Sequence, residues 1–174
     1  LKICGLMDAS HALAAAKGGA DYLGFVFVPG VRRRLEVDQA RDIIEKFRQV
    51  NGPGGPKLVG LFADQPLDEV NHILRYCGLD VAQLCGGEPP QYWGGVERPV
   101  IKQVKVSDSG PQEEVVEQVC QSVERVISSG QTCMLDRYEE GAPGGTGRPF
   151  DWAIAGAVAQ RYPFLLAGGL TPSN

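Results

Sequence analysis

The stretch Leu1-Lys2-Ile3-Cys4-Gly5-Leu6-Met7-Asp8 decides which of two α/β folds the chain can adopt. Its apolar beginning predicts a short buried strand, and a helical pattern follows it. A dinucleotide-binding doubly wound sheet would carry the sequence GxGxxG where the first strand meets the first helix. Gly5 alone stands at this transition, so the stretch argues against such a sheet.

Outward from this stretch, apolar runs rich in β-branched residues alternate with amphipathic segments. The amphipathic segments repeat their apolar residues with helical spacing, as at Ala40, Ile43, Ile44 and Phe47. Strands that are apolar on both faces and alternate with helices predict a parallel sheet covered by helices. The fold class is therefore α/β, and a closed (β/α)8 barrel is favoured over an open doubly wound sheet. The apolar runs predict seven strands, at residues 1–4, 22–28, 58–63, 81–85, 100–106, 132–135 and 164–167.

The length of the chain is short for such a barrel. A (β/α)8 barrel has eight strands and usually about 200 residues or more, whereas this sequence has 174 residues and begins at Leu1 without a methionine. We therefore expect residues 1–174 to form a single barrel domain with about seven strands and six helices, which lacks the last helix, strand and helix. A longer parent polypeptide is expected to supply them.

Composition excludes several classes of function. The net charge of −4 argues against general nucleic-acid binding, which needs a dominant basic surface. The apolar runs are far shorter than the roughly 20 residues of a membrane span, so a cytoplasmic protein without membrane contact is expected. The five cysteines lack CxxC spacing, so neither a disulfide framework nor a metal site is predicted.

Two charged features stand at the ends of predicted strands. Asp136 follows the apolar run Cys133-Met134-Leu135 and precedes the glycine-rich sequence Gly144-Gly145-Thr146-Gly147. A carboxylate beside exposed backbone N–H groups can combine a proton donor with an anion cradle, although a charged strand end before a flexible turn has the same pattern. The arginine cluster Arg32-Arg33-Arg34 follows the second predicted strand, where it is either a solvated loop or a local anion site.

Taken in order, these and neighbouring motifs resemble those of the phosphoribosylanthranilate isomerase family. The resemblance extends over essentially the whole chain. Its implications are a (β/α)8 barrel and an isomerase of tryptophan biosynthesis that uses no cofactor or metal. It rests on Lys2-Ile3-Cys4-Gly5-Leu6, Ala20-Asp21-Tyr22-Leu23-Gly24-Phe25-Val26-Phe27, Val59-Gly60-Leu61-Phe62, Gly78-Leu79-Asp80-Val81-Ala82-Gln83-Leu84, Leu135-Asp136, Gly144-Gly145-Thr146-Gly147 with Phe150-Asp151-Trp152, and Ala167-Gly168-Gly169-Leu170.

The resemblance also implies the roles of two catalytic residues. The family substrate, N-(5-phosphoribosyl)anthranilate, undergoes an Amadori rearrangement to 1-(2-carboxyphenylamino)-1-deoxyribulose 5-phosphate. By resemblance, Asp136 is the general acid that protonates the furanose ring oxygen. Cys4 is the general base that removes the C2′ proton. The two groups have opposite needs, since a thiolate is favoured by nearby positive charge and a protonated carboxyl by desolvation.

The resemblance assigns substrate contacts to three further regions. Gly168 and Gly169 would hold the phosphate through backbone N–H groups, and the loop with Gly145 and Thr146 would close over the ligand. Arg33 would orient the anthranilate carboxylate, although a slip of one position would select Arg32 or Arg34. One departure is Cys85, which stands where the family commonly has histidine.

Three alternatives and one extension remain open at this stage. The chain could be another phosphate-binding barrel enzyme, of histidine or thiamine synthesis, or a non-catalytic ligand binder, or an inactive structural fragment. The sequence Val28-Pro29 before the arginine cluster is similar to fungal members of the family. It predicts fusion to other tryptophan-pathway domains.

Overall fold

The computed structural model describes residues 1–107, 109–138, 149–171 and 173. Within these residues, seven strands and six helices alternate along the chain. The chain divides into two compact units, Leu1–Val100 and Ile101–Asn174. The prediction of one domain over residues 1–174 stays a prediction.

The first unit contains four complete βα pairs. Its strands are β1 (Lys2–Cys4), β2 (Tyr22–Val26), β3 (Lys57–Phe62) and β4 (Val81–Leu84). Its helices are α1 (Ala9–Lys17), α2 (Val37–Asn51), α3 (Leu67–Tyr76) and the short α4 (Pro90–Gly95). The sequence between Pro89 and Arg98 contains two adjacent prolines and two adjacent glycines, which limits α4 to six residues.

The four strands of this unit are parallel and follow one another in chain order. The register places Cys4 beside Gly24 and Gly24 beside Val59. In a doubly wound dinucleotide-binding sheet the first strand lies inside the sheet, between the second strand and the fourth. Here β1 stands first in the order β1-β2-β3-β4, so the open-sheet alternative is wrong for this unit.

Local sequence explains why these helices form and which side they bury. Asp8 is the N-cap of α1, and its carboxylate accepts a hydrogen bond from the backbone N–H of His11 at 2.8 Å. In α2 the buried residues are Ala40, Ile43, Ile44 and Phe47, which recur with helical spacing on one face. The buried face of α2 is therefore the apolar face that the sequence predicts.

The core of the first unit lies on both faces of β2 and β3. Leu23 and Phe25 of β2 are fully buried, as are Val59 and Phe62 of β3. The ring of Phe27, just after β2, stacks on that of Phe62 with centroids 5.4 Å apart. Burial on both faces is typical of parallel strands that are covered by helices.

The second unit begins within β5 and repeats the same pattern. It contains β5 (Val100–Val106), α5 (Gln112–Ser128), β6 (Thr132–Arg137), α6 (Trp152–Ala159) and β7 (Leu165–Leu166). Its strands are parallel, with Lys105 beside Asp136 and Met134 beside Leu165. All seven strands occur where the sequence predicts them, and their ends differ from the prediction by at most two residues. Among the described residues, no helix combines the length and the apolar character needed to cross a membrane.

Candidate active site

Cys4 is the last residue of β1, at the carboxyl end of the strand. Cys4 is half-buried, and the chain turns immediately after it at Gly5, whose φ is +77°. The backbone N–H groups of Gly5 and Leu6 both donate to the carbonyl of Gly24, at 2.9 and 3.1 Å. These bonds fix the turn, so the thiol is carried by a rigid strand end.

The thiol of Cys4 rests against the neighbouring strands at a place where there is no side chain. A Cβ atom at Gly24 would lie 2.9 Å from Sγ of Cys4 and 3.1 Å from Cδ1 of Leu61. Real Cβ atoms do not approach other atoms so closely without a shift of the neighbours. Glycine at position 24 therefore makes the space that the thiol occupies.

Arg33 lies beside Cys4, although the two are 29 positions apart in the chain. Its Nη1 donates to the carbonyl oxygen of Cys4 at 2.9 Å. The guanidinium also packs over Gly5, where a Cβ atom would lie 2.5 Å from Nη1. Glycine is thus needed at position 5 both for its left-handed backbone and for the close approach of Arg33.

The other two arginines of the cluster differ from Arg33 in their surroundings. Arg34 pairs with Glu36, with Nη2 3.4 Å from Oε1, and both side chains are largely exposed. Arg32 is exposed. The geometry therefore distinguishes Arg33 from its neighbours, and its role toward a substrate stays a prediction.

Cys85 follows β4 and is buried, with 5% of its surface exposed. Nε2 of Gln83 donates to its sulfur at 3.3 Å. Burial raises the pKa of the Cys85 thiol to about 12. The position that departs from the family pattern thus carries a neutral buried thiol. Oε1 of the same Gln83 is buried and has no hydrogen-bond partner among the described residues.

Asp136 lies near the carboxyl end of β6 in the second unit and is half-buried. Its Oδ1 accepts from the backbone N–H of Arg137 at 2.8 Å, and its Oδ2 accepts from Nε2 of Gln103 at 2.9 Å. Gln103 is only 4% exposed. Both carboxylate oxygens are therefore held by donors on well-packed strands.

Gly168 and Gly169 follow β7, and both have the left-handed backbone that favours glycine, with φ of +89° and +68°. A Cβ atom at Gly169 would lie 2.4 Å from the backbone nitrogen of Pro149. The carbonyl of Pro149 in turn accepts from Nη1 of Arg137 at 2.6 Å. Gly169 thus packs against a backbone segment that is tied to the end of β6.

Two of the predicted site residues, Gly145 and Thr146, lie outside the described residues. For metals, the described residues contain no group of three or more His, Cys, Asp or Glu side chains that could hold an ion. The candidate residues described above offer a thiol, a carboxyl, guanidinium groups and backbone N–H donors.

Comparison with known proteins shows the family. The sequence model of the N-(5'-phosphoribosyl)anthranilate (PRA) isomerase family matches residues 1–174. The chain belongs to this family. A relative from Dehalococcoides mccartyi, N-(5'-phosphoribosyl)anthranilate isomerase, is 39% identical over 173 residues, which cover 99% of this chain and 77% of the relative.

Solved structures of the family are similar to the chain as well. The phosphoribosyl anthranilate isomerase from Thermus thermophilus is 35% identical, with a TM-score of 0.79 over 99% of this chain and 78% of that one. A second is 30% identical, with a TM-score of 0.76 over 99% of this chain and 77% of that one. That protein was crystallised with reduced 1-(o-carboxyphenylamino)-1-deoxyribulose 5-phosphate. These neighbours are TIM-barrel-like, so the predicted α/β barrel class is confirmed.

Sequence reasoning missed Gln103 as a part of the site. Its signal was present in the run Val100-Ile101-Lys102-Gln103-Val104, where a lysine and an amide interrupt an otherwise apolar strand beginning. A buried polar side chain needs a partner, which makes such an interruption informative. The partner itself could not be found from the sequence because Asp136 lies 33 positions away.

Proposed function

We propose that the chain catalyses the rearrangement of N-(5'-phosphoribosyl)anthranilate to 1-(2-carboxyphenylamino)-1-deoxyribulose 5-phosphate, a step of tryptophan biosynthesis. The observation that carries the proposal is the family match over residues 1–174, with Cys4 and Asp136 at strand ends. In reaction class, the chain is an intramolecular oxidoreductase that interconverts an aldose and a ketose.

The first proton transfer falls to Asp136. Its protonated carboxyl gives a proton to the furanose ring oxygen, the C1′–O bond breaks, and the nitrogen lone pair forms an iminium at C1′. Proton transfer by a positioned side chain contributes about 10²- to 10⁴-fold to a rate. The hydrogen bonds to both carboxylate oxygens support this role because they fix the direction of the group.

The second proton transfer falls to Cys4. Its thiolate takes the C2′ proton, and the electron pair of the broken C–H bond moves to form the enolamine, which becomes the ketone by a further proton shift. The described structure supports this role because no hydrogen bond within the described residues occupies the Cys4 thiol. A base must offer a lone pair at the moment of transfer.

Arg33 and the glycine pair are proposed to bind the two anionic ends of the substrate. Arg33 uses one N–H group on the Cys4 carbonyl, and its planar fork has further N–H groups that suit the anthranilate carboxylate. Gly168 and Gly169 would present backbone N–H groups to the phosphate. The loop with Gly145 and Thr146 is proposed to close over the ligand.

The test is an isomerase assay that follows the change of anthranilate fluorescence during turnover. Cys4→Ser and Asp136→Asn should each lower kcat by about 10²- to 10⁴-fold with little change in KM, because each removes one proton-transfer group. Near-normal turnover in either variant would contradict the assigned role of that residue.

Matched controls separate catalysis from folding. Asp151→Asn makes the same chemical change at the N-cap of α6, where asparagine caps as well as aspartate. Cys77→Ser replaces a buried thiol whose sulfur donates to the carbonyl of Val37 at 3.5 Å, a bond that a hydroxyl can also make. Both control proteins should retain kcat within about twofold.

A further inference from the structure

Gln103 is a buried amide with a charged partner. It lies in β5, is 4% exposed, and its Nε2 is 2.9 Å from Oδ2 of Asp136. Burying an amide without a partner costs free energy, whereas a hydrogen bond to a charged group returns more than one to a neutral group. The hydrogen bond to Asp136 therefore offsets the cost of burying the Gln103 amide.

The strand register explains how the two side chains meet. Gln103 lies beside Met134 and Lys105 lies beside Asp136, so Gln103 and Asp136 leave the same face of the sheet on neighbouring strands. Oδ1 is already held by the backbone N–H of Arg137. The bond from Gln103 fixes the second oxygen, which leaves the carboxyl group one orientation.

We propose that Gln103 is a positioning residue for Asp136, which holds the carboxyl group and serves as its partner in both protonation states by reversing its amide. This inference rests on the proposed function, in which Asp136 donates a proton. When Asp136 is ionised, the amide N–H donates to Oδ2. When Oδ2 carries the proton, the reversed amide offers Oε1 as the acceptor of the Asp136 O–H.

The proton balance of the step follows from this arrangement. The O–H bond of Asp136 breaks, an O–H bond forms at the ring oxygen of the substrate, and the carboxylate keeps the electron pair. Gln103 then presents its N–H group to the new carboxylate. A side chain without both a donor and an acceptor cannot partner the two states.

The charged groups around Asp136 make such a partner useful. Lys105 on β5 is the register partner of Asp136 and leaves the same face of the sheet, where its positive charge would favour the ionised form of Asp136. Arg137 on β6 leaves the other face of the strand, and its Nη1 donates to the carbonyl of Pro149. The described residues of β7, Leu165 and Leu166, carry no charge. The reversed amide gives the neutral carboxyl an acceptor for its proton, although the bond to the ionised carboxylate is the stronger of the two.

The experiment uses Gln103→Met, which keeps the length of the side chain without its amide, and Gln103→Asn, which keeps the amide one methylene shorter. Gln118→Met is the control, because Gln118 is exposed on α5. Titration of Asp136 is followed by carbon-13 NMR of aspartate-labelled protein, with the signal assigned by its loss in Asp136→Asn. The pH profiles of kcat and KM are measured on the same proteins.

Both Gln103 variants should titrate Asp136 at a pH about one unit above that of the wild type, because the amide stabilises the ionised carboxylate, a charged partner, more than it stabilises the neutral carboxyl. A general acid is active in its protonated form, so the alkaline limb of kcat should move up in parallel. At its plateau, kcat should fall about tenfold with KM changed less than about twofold, because the carboxyl loses its fixed direction.

An unchanged Asp136 titration and an unchanged kcat profile in folded Gln103→Met would overturn the inference. If Gln103→Met does not fold, the smaller Gln103→Asn decides by the same criteria. Failure of the proposed function is distinguishable, because a wild-type protein without isomerase turnover would still report the coupling through NMR. Full turnover in Asp136→Asn would likewise remove Asp136 from the reaction, whatever Gln103 does.

Discussion

The side chains of Cys4, at the end of β1 in the first unit, and of Asp136, near the end of β6 in the second, have opposite hydrogen-bonding surroundings. The thiol of Cys4 lies over Gly24, and Arg33 bonds to the backbone carbonyl of Cys4. Asp136 has a hydrogen-bond donor at each carboxylate oxygen. Gly24 therefore leaves room for the Cys4 thiol, whereas hydrogen-bond donors hold the Asp136 carboxylate.

This difference matches the two proposed roles. A base that attacks a C–H bond needs an unoccupied lone pair and room to meet the substrate. An acid that must hold a proton and then release it needs a fixed direction and a partner for each state. The following predictions test the difference, from the largest expected effect to the smallest.

The largest effect is expected from filling the space beneath Cys4. Gly24→Ala places a Cβ atom 2.9 Å from Sγ of Cys4 and 3.2 Å from its Cα, so the thiol must move. A misplacement of about 1 Å can cost about 100-fold, and we expect this loss in kcat/KM. Enzyme kinetics and urea unfolding of the variant provide the measurements.

Gly156→Ala in α6 is the matched control, because a Cβ atom there meets nothing within 4 Å. Alanine is a better helix former than glycine, so this variant should be more stable by about 0.5–1 kcal/mol with unchanged kcat. If Gly24→Ala and Gly156→Ala changed kcat/KM equally, glycine at position 24 would not be needed to make room for the Cys4 thiol.

The second prediction concerns the arginine beside Cys4. Arg33→Lys removes the planar fork that bonds the Cys4 carbonyl and would bind a carboxylate, so KM should rise about tenfold. Arg34→Lys is the control, because Arg34 pairs with Glu36 instead. Its KM should stay within about twofold of the wild type. The reverse ranking of the two variants would move the substrate contact from Arg33 to Arg34.

The third prediction uses the buried thiol after β4. Burial raises the pKa of Cys85 to about 12 from an unfolded value near 9.0, so its contribution to stability is complete below pH 9.0. That contribution decreases as the pH rises toward 12. The destabilisation caused by Cys85→Ala should therefore shrink by about 1 kcal/mol between pH 8 and pH 10. Urea unfolding at the two pH values measures it.

Cys133 in β6 provides the same test in the second unit. Burial raises the pKa of this thiol to about 12 as well, so Cys133→Ala should show a pH dependence of the same sign. A destabilisation independent of pH in both variants would mean that neither thiol stays neutral in the folded protein at pH 10.

The smallest effects are expected at the two aspartate N-caps. Asp8 accepts from the N–H of His11, and Asp151 accepts from the N–H of Ala153 at 2.9 Å. Replacement of either by alanine should lower Tm by a few degrees without changing kcat. Thermal unfolding followed by circular dichroism measures the change.

The Asp8 cap should also depend on pH. The hydroxyl of Ser10, followed by the N–H of His11, lowers the pKa of Asp8 below 3.8. The stabilisation by the carboxylate is therefore present above pH 3.8 and is lost as the pH falls through the lower folded value. A constant difference in Tm between wild type and Asp8→Ala from pH 6 to pH 2 would contradict this cap.

Much of the fold could be predicted from the sequence because it depends on local patterns. The runs that form β2 and β3 are apolar on both faces, and the spacing of Ile43, Ile44 and Phe47 indicates a helix. Strand ends were less certain: residues 22–28 were expected, and β2 ends at Val26. The ends depend on which neighbouring strand supplies hydrogen bonds.

The candidate site divides in the same way. Cys4, Asp136 and the glycine pair could be selected because each stands at the end of an apolar run, within a motif of the family. Gln103 could not be assigned to Asp136, nor Gly24 to the space of the thiol, because these contacts join residues on different strands. Sequence spacing alone cannot supply the register that brings them together.

The sequence by itself determined the alternation of strands and helices and the residues that stand at the strand ends, because hydrophobic periodicity and turn residues act locally. Only the tertiary structure decided that Arg33 bonds the Cys4 carbonyl across 29 positions and that Gln103 holds Asp136 across 33. The physical reason is that such contacts depend on the register of neighbouring strands and on the close approach of a side chain to a distant part of the backbone. No single segment of the sequence determines either of these.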